Sequence, residues 1–149
     1  MNMFGYHIIN TPDFKIDTKV IDNIFIATHK IVKRDQNWVL NIVFLNKKSV
    51  QELNKNHRNI DKATDVLSFH YFDDFSMVKS DDTAGEIILC EEIIKSQWKE
   101  HWLWDSGEFY KLLIHSVIHI LWYDHEDDED YIIMNDLEEQ VAKAACISL

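Results

Sequence analysis

Two histidines four residues apart, His115 and His119, followed by a third at His125, constrain the fold of this chain more than any other feature. At 3.6 residues per turn, side chains four apart lie about 40° from one another around the helix axis, so both project from one face. The helix must then end before His125, and the chain must turn back, if the third imidazole is to join the first two. Three imidazoles suit zinc and leave a fourth position for water, which is the arrangement of catalytic rather than closed structural zinc. Water at such an ion has its pKa lowered to about 7, so metal-assisted hydrolysis is the chemistry this spacing points to. The alternative for a histidine pair at this spacing is a pair satisfied by ordinary hydrogen bonds on a half-buried helix, and the third histidine weighs against it. The same spacing occurs in the long zinc-protease signature, yet Ser116 stands where those enzymes carry their glutamate base. Peptide hydrolysis therefore lacks its base.

The rest of the chain supplies a scaffold for that helix. Met3 to Ile9 reads as a strand, and Asp17 can cap a helix whose apolar positions Val20, Ile21, Ile24, Phe25, Ile31 and Val32 recur at helical spacing. Trp38 to Leu45 is a branched and aromatic run suited to a strand covered on both faces. Ser49 and Glu52 form a capping-box pattern that opens a short helix to about Asn56. Thr64 to Phe72 and Glu86 to Cys90 read as two more strands, separated by an acidic loop from Asp73 to Ala84. From Glu91 the period becomes helical: one helix to about Trp102, a second from Ser106 to about Trp122, and a third from about Asp130 to Ala145. The expected fold is α+β: a small mixed, mostly parallel four-stranded sheet packed by about five helices, with a zinc-protease-like helix carrying the metal ligands.

Only three glycines and one proline occur in 149 residues, with no linker-like stretch and no repeat, so residues 1–149 are expected to form one domain. The beginning of the chain carries no secretion signal, and no apolar run is long enough to cross a bilayer, so a cytoplasmic protein with no membrane partner is expected. Cys90 and Cys146 lie far apart beside apolar residues, which suits buried thiols in a reducing compartment. With 15 Lys and Arg against 26 Asp and Glu, the net charge of −11 argues against non-specific nucleic-acid binding by the whole surface. The acids crowd at Asp73, Asp74, Asp81 and Asp82 and from Glu126 to Asp130, where a solvated loop or a helix start explains them. The most basic stretch, Lys47, Lys48, Lys55, His57, Arg58 and Lys62, is either a solvated helix face or a track for RNA phosphates. Aromatic platforms for unpaired bases would come from Phe69, Tyr71, Phe72 or Tyr123, although aromatics in strands are more often core.

The run His115-Ser-Val-Ile-His119-Ile-Leu-Trp-Tyr-Asp124-His125 resembles the signature H-G-x-L-H-L-x-G-[YH]-D-H of the YbeY family of metal-dependent endoribonucleases. Ser116 and Trp122 replace its two glycines. A second stretch, Leu53-Asn54-Lys-Asn-His-Arg58 followed by Thr64-Asp65-Val66-Leu67-Ser68-Phe69, resembles the family's L-N-x-x-[YFH]-R and T-D-V-L-S-F, with His70 in place of the usual proline. Gly85-Glu86-Ile87 is similar to its G-D-I, and Met134 with Glu138 to its closing M-x-x-x-E.

The resemblance implies a single-strand-specific, zinc-dependent endoribonuclease. It would mature ribosomal RNA near the 3′ end of the small-subunit RNA and serve ribosome quality control. One Zn2+ would be held by His115, His119 and His125. His115, His119 and Arg58 would be the catalytic set, with the always-charged planar guanidinium of Arg58 across the cleft holding the phosphate. Lys47, Lys48, Lys55, His57 and Lys62 would be RNA contacts. The partners implied are single-stranded ribosomal RNA and the small ribosomal subunit with its proteins, with no DNA. The general base is not identified, and His57 or His70 qualifies only if the fold brings it within hydrogen-bond reach. Asp124 is expected either to cap the turn or to fix the tautomer of a ligand histidine. Thr64 to Phe69 are expected to serve structure, with Asp65 and Ser68 satisfying nearby amides. Two rival functions remain: a ribosome-associated binding factor in which zinc is a structural staple, and a zinc peptidase.

Overall fold

A computed structural model describes residues 5–32, 39–71, 82–100, 107–121 and 128–146. The elements run β1 (Gly5–Ile9), α1 (Thr18–Ile31), β2 (Val39–Leu45), α2 (Lys47–Arg58), β3 (Val66–His70), β4 (Thr83–Cys90), α3 (Glu91–Glu100), α4 (Gly107–Leu121) and α5 (Asp128–Ala144). Four strands form one sheet in the order β1-β2-β4-β3. The β1–β2 and β2–β4 pairs are parallel and β3 runs antiparallel to β4, giving the mixed, mostly parallel sheet the sequence predicts.

Alternation along the strands divides the apolar side chains between two faces. Leu40, Ile42 and Phe44 of β2 and Ile87 and Leu89 of β4 join the larger core, which is closed by α1, α4 and α5 through Ile21, Ile24, Phe109, Leu113, Val117, Met134 and Val141. Val43, Ile88, Cys90 and Leu67 point the other way and pack on Val50 and Leu53 of α2. Within β3, Val66 packs toward the first core while Leu67 and Phe69 pack toward the second. Hence α4 and α2 lie on opposite faces of the sheet, and among the described residues β3 forms one edge between them.

Local signals explain most element ends. Asp17 caps α1 as expected, its Oδ1 accepting from the Lys19 amide at 3.0 Å. The cap of α2 differs from expectation. Asn46 rather than Ser49 holds the position, and its side chain accepts from the Ser49 amide at 2.8 Å, so the helix begins a turn earlier. Asn46 ends β2 directly, with extended backbone at φ −76° and ψ 165°, and so meets the geometric need of an N-cap before Ser49 can. The acids from Asp128 to Asp130 form the first turn of α5, where negative charge complements the helix dipole. Of the two thiols expected to be buried, Cys90 is buried in β4 but Cys146 is exposed just past α5, in the left-handed region at φ 60°.

Candidate active site

The end of α2 is fixed before any ligand arrives. Arg58 is its last residue, and Asn59 follows at φ 57°, a left-handed conformation that asparagine tolerates better than most residues. The Asn59 amide donates to the Lys55 carbonyl at 3.1 Å, the bond of an αL helix end, and the Ile60 amide donates to the Asn54 carbonyl at 3.4 Å. The buried Asn54 then donates through Nδ2 to the Lys62 carbonyl at 2.8 Å, and Gln51 donates to Asp61 Oδ1 at 3.0 Å. These bonds tie the following loop back onto the helix and leave Arg58 exposed at a rim.

That rim borders a cleft of about 290 Å³ lined by Arg58, Val66, Leu67, Ser68, Phe69, His115 and His119. Arg58 reaches it from the α2 face of the sheet and the histidines from the α4 face, with β3 between them. The rings of His115 and His119 are 6.2 Å apart and within 16° of parallel, neighbours on one face through their one-turn spacing on α4.

Glu138 of α5 accepts a hydrogen bond from His115 Nδ1. The carboxylate pulls the His115 pKa above its ordinary 6.5, outweighing the opposing effect of burial, and Asp65 adds a smaller push in the same direction. With Nδ1 committed to Glu138, Nε2 is the nitrogen left for a ligand in the cleft. Sequence reasoning offered Asp124 for this orienting role, with capping of the turn as the alternative, and assigned no role to Glu138. Glu138 is one of six acids in α5, and only its place in the M-x-x-x-E resemblance with Met134 sets it apart from the others.

Ser116, between the two histidines, is fully buried, and its hydroxyl has no hydrogen-bond partner among the described residues. It points into packing and lies outside the cleft lining, so it supplies no base there. Asp65 is engaged structurally, accepting from the Thr64 hydroxyl and from the Gln97 side-chain amide, each at 3.3 Å. The edge of the His57 ring meets the Phe69 ring at a centroid distance of 5.1 Å, beside the cleft.

The structure thus brings Arg58, His115 and His119 to one cleft. Lys55, His57 and Lys62 are exposed around the end of α2, whereas Lys47 and Lys48 are exposed in its first turn, roughly 15 Å away along the helix axis. His125, Asp124, Tyr123, Trp122 and Phe72 lie outside the described residues. Among the described residues no group of three or more His, Cys, Asp or Glu side chains is arranged to hold a metal ion. Two features nevertheless fit one. Imidazoles sharing a tetrahedral zinc at about 2.0–2.1 Å have centroids roughly 5 Å apart, so this pair at 6.2 Å would draw together by about 1 Å to share an ion, and a carboxylate on the far nitrogen is the usual support of a ligating histidine.

Comparison with known proteins places the chain among relatives of one family. A family model described as endoribonuclease YbeY matches residues 8–145. An endoribonuclease YbeY of Caldicellulosiruptor saccharolyticus is 34% identical over 132 residues, covering 83% of this chain and 84% of its own. That of Bdellovibrio bacteriovorus is 43% identical over 101 residues, covering 67% and 63%. The solution structure of TM1509 from Thermotoga maritima shares the fold at a TM-score of 0.55 and 24% identity, covering 93% of this chain and 89% of the other.

Proposed function

Because the chain belongs to the YbeY endoribonuclease family, we propose that it is a metal-dependent endoribonuclease that cuts single-stranded ribosomal RNA. The observation that carries this reading is the cleft itself, which sets one permanently charged guanidinium opposite two imidazoles across a sheet edge. Arg58 holds the scissile phosphate in a planar fork and offsets the negative charge that grows during phosphodiester cleavage. The helix end at Asn59 fixes the main chain from which Arg58 reaches the cleft. His115 and His119 present ring nitrogens for one zinc ion, with His125 as the third ligand, and Glu138 fixes His115 in the tautomer whose Nε2 is free to ligate. When bound, zinc supplies a Lewis acid and a water acidified to a pKa of about 7.

Lys55, His57 and Lys62, exposed around the same rim, are read as contacts to the RNA strand entering the cleft. Lys47 and Lys48 serve only a longer substrate that runs the length of α2. The −11 charge leaves little general attraction to RNA, which favours delivery by the small ribosomal subunit and its proteins, with action near the 3′ end of its RNA. The span of the family match, residues 8–145, supports reading the 149 residues as one domain. Among the described residues no helix is long and apolar enough to cross a membrane.

The test is cleavage of a single-stranded RNA from the 3′ region of small-subunit RNA, with metal analysis of the same preparations. His119→Ala should lose both zinc and cleavage. Arg58→Ala should keep zinc and lose cleavage by 10²-fold or more, the usual cost of removing one donor to a developing charge. Full cleavage by metal-free His119→Ala protein would refute the metal mechanism. Loss of zinc from Arg58→Ala would make Arg58 architectural.

A further inference from the structure

Among the described residues strand β3 is the edge that the cleft opens onto, and its main chain carries groups that the ladder does not use. In an antiparallel pair, alternate residues bond the neighbouring strand and the residues between them turn N–H and C=O outward. The register here is fixed at both ends. Tyr71 donates to the Ala84 carbonyl at 2.8 Å, and Cys90 donates to that of Asp65 at 2.9 Å. With the pairs Val66↔Leu89 to His70↔Gly85 between them, Asp65, Leu67, Phe69 and Tyr71 bond inward to β4. Val66 and Ser68 therefore point their amides and carbonyls away from the sheet, and both residues line the cleft.

Open edges are normally blunted by a lysine, a proline or a bulge, because unpaired amides attract other strands. Val66 to Phe69 carry none of these, and the irregularity in this sheet lies elsewhere, between β2 and β4. The unprotected segment is the one that lies between Arg58 and the histidines. We propose that the Ser68 amide, with that of Val66 one step along, donates to phosphate oxygens of the RNA strand as it crosses from Arg58 to the histidines. The proposal rests on the endoribonuclease reading above.

Its chemistry suits this chain. A neutral amide needs no counter-charge in a protein of net charge −11, and the four-stranded ladder holds it rigid, so no reorganisation is needed when the phosphate arrives. The two outward amides are about 6.7 Å apart along the strand, comparable to the separation of successive phosphates in extended RNA. Recognition of this kind reads the backbone and no base.

The experiment is amide hydrogen exchange by NMR on the uniformly 15N-labelled full chain, with its metal. The probe is a single-stranded phosphorothioate RNA hexamer, chosen to slow cleavage. Free protein should show fast exchange at Val66 and Ser68 and slow exchange at Leu67 and Phe69. Saturating hexamer should slow Val66 and Ser68 at least tenfold and leave Leu67 and Phe69 within twofold, a two-residue alternation that general stabilisation does not produce. If the Arg58 Nε–H resonance moves with RNA while Ser68 exchanges as before, the edge proposal fails and the RNA reading stands. If neither responds, both fail. Protection at Ser68 without RNA that rises with protein concentration would assign the edge to a second copy of the chain and overturn the proposal.

Discussion

Gly85→Ala should destabilise the protein and distort the cleft together, because the glycine is required by what lies beside it. A Cβ built on Gly85 falls 2.2 Å from the Phe69 carbonyl oxygen and 3.3 Å from the Phe69 carbonyl carbon and the His70 Cα. All three are main-chain atoms of β3, so no rotamer change relieves the clash, and the nearest contact falls short of ordinary van der Waals distance by roughly 1.2 Å. Gly85 sits in an interior strand, paired with Leu40 on one side and His70 on the other, so the strand that yields is β3, at the edge. Overpacking of this kind costs about 1–3 kcal/mol, and separating the end of β3 adds about 1 kcal/mol for a ladder bond such as Tyr71 to Ala84. Against this stands a gain of up to about 1 kcal/mol from replacing a strand glycine whose φ is not positive. The net expectation is a loss of about 1–4 kcal/mol, or roughly 2–16 °C in Tm for a chain of this size. Because β3 supplies Val66, Leu67, Ser68 and Phe69 to the cleft, RNA cleavage should fall even at temperatures where the variant is folded. Gly5→Ala is the matched control. It is also in a strand with no atom within 4 Å of its added Cβ, and it should be neutral or slightly stabilising. Urea unfolding and calorimetry of both variants decide the matter. A Gly85→Ala protein within 0.5 kcal/mol of wild type and fully active would refute the close-approach account.

Ser116→Ala should stabilise the protein by about 1 kcal/mol, or roughly 2–4 °C in calorimetry, by removing a buried hydroxyl unpartnered among the described residues and installing a better helix former; a comparable loss would mean the hydroxyl has a partner. Glu138→Gln should weaken zinc binding by about 10–100-fold in chelator competition while leaving secondary structure intact, and unchanged affinity would remove Glu138 from the site. A pH dependence follows from the same pair. His115 has its folded pKa raised above 6.5, so in metal-free protein its stabilising contribution is full below about pH 6.5 and fades as pH rises through the folded value. The Tm advantage of wild type over Glu138→Gln should therefore shrink between pH 6 and 9 in metal-free samples, modestly because His115 is half exposed, and an advantage that grew with pH would contradict the assignment.

The sequence by itself determined what depends on neighbours within a turn or two. The helix face shared by His115 and His119, the Asp17 cap and the order of four strands and five helices follow from periods of 3.6 and 2, which the chain writes locally. Where two local signals compete, as Asn46 and Ser49 do at the start of α2, the backbone leaving the preceding strand chooses between them, and a cap pattern alone does not. The histidine pair, Arg58 and their motifs were legible as candidates, but their meeting was not. It exists because α2 and α4 pack on opposite faces of a sheet whose edge strand lies between them. Only the tertiary structure placed Glu138 on His115, 23 residues along the chain and on another helix. Only it tied Gly85 to the Phe69 carbonyl, since the glycine has an ordinary φ and serves by lacking a Cβ. Both contacts depend on how whole elements register against one another, and that register is set by core packing distributed over many residues rather than by any motif.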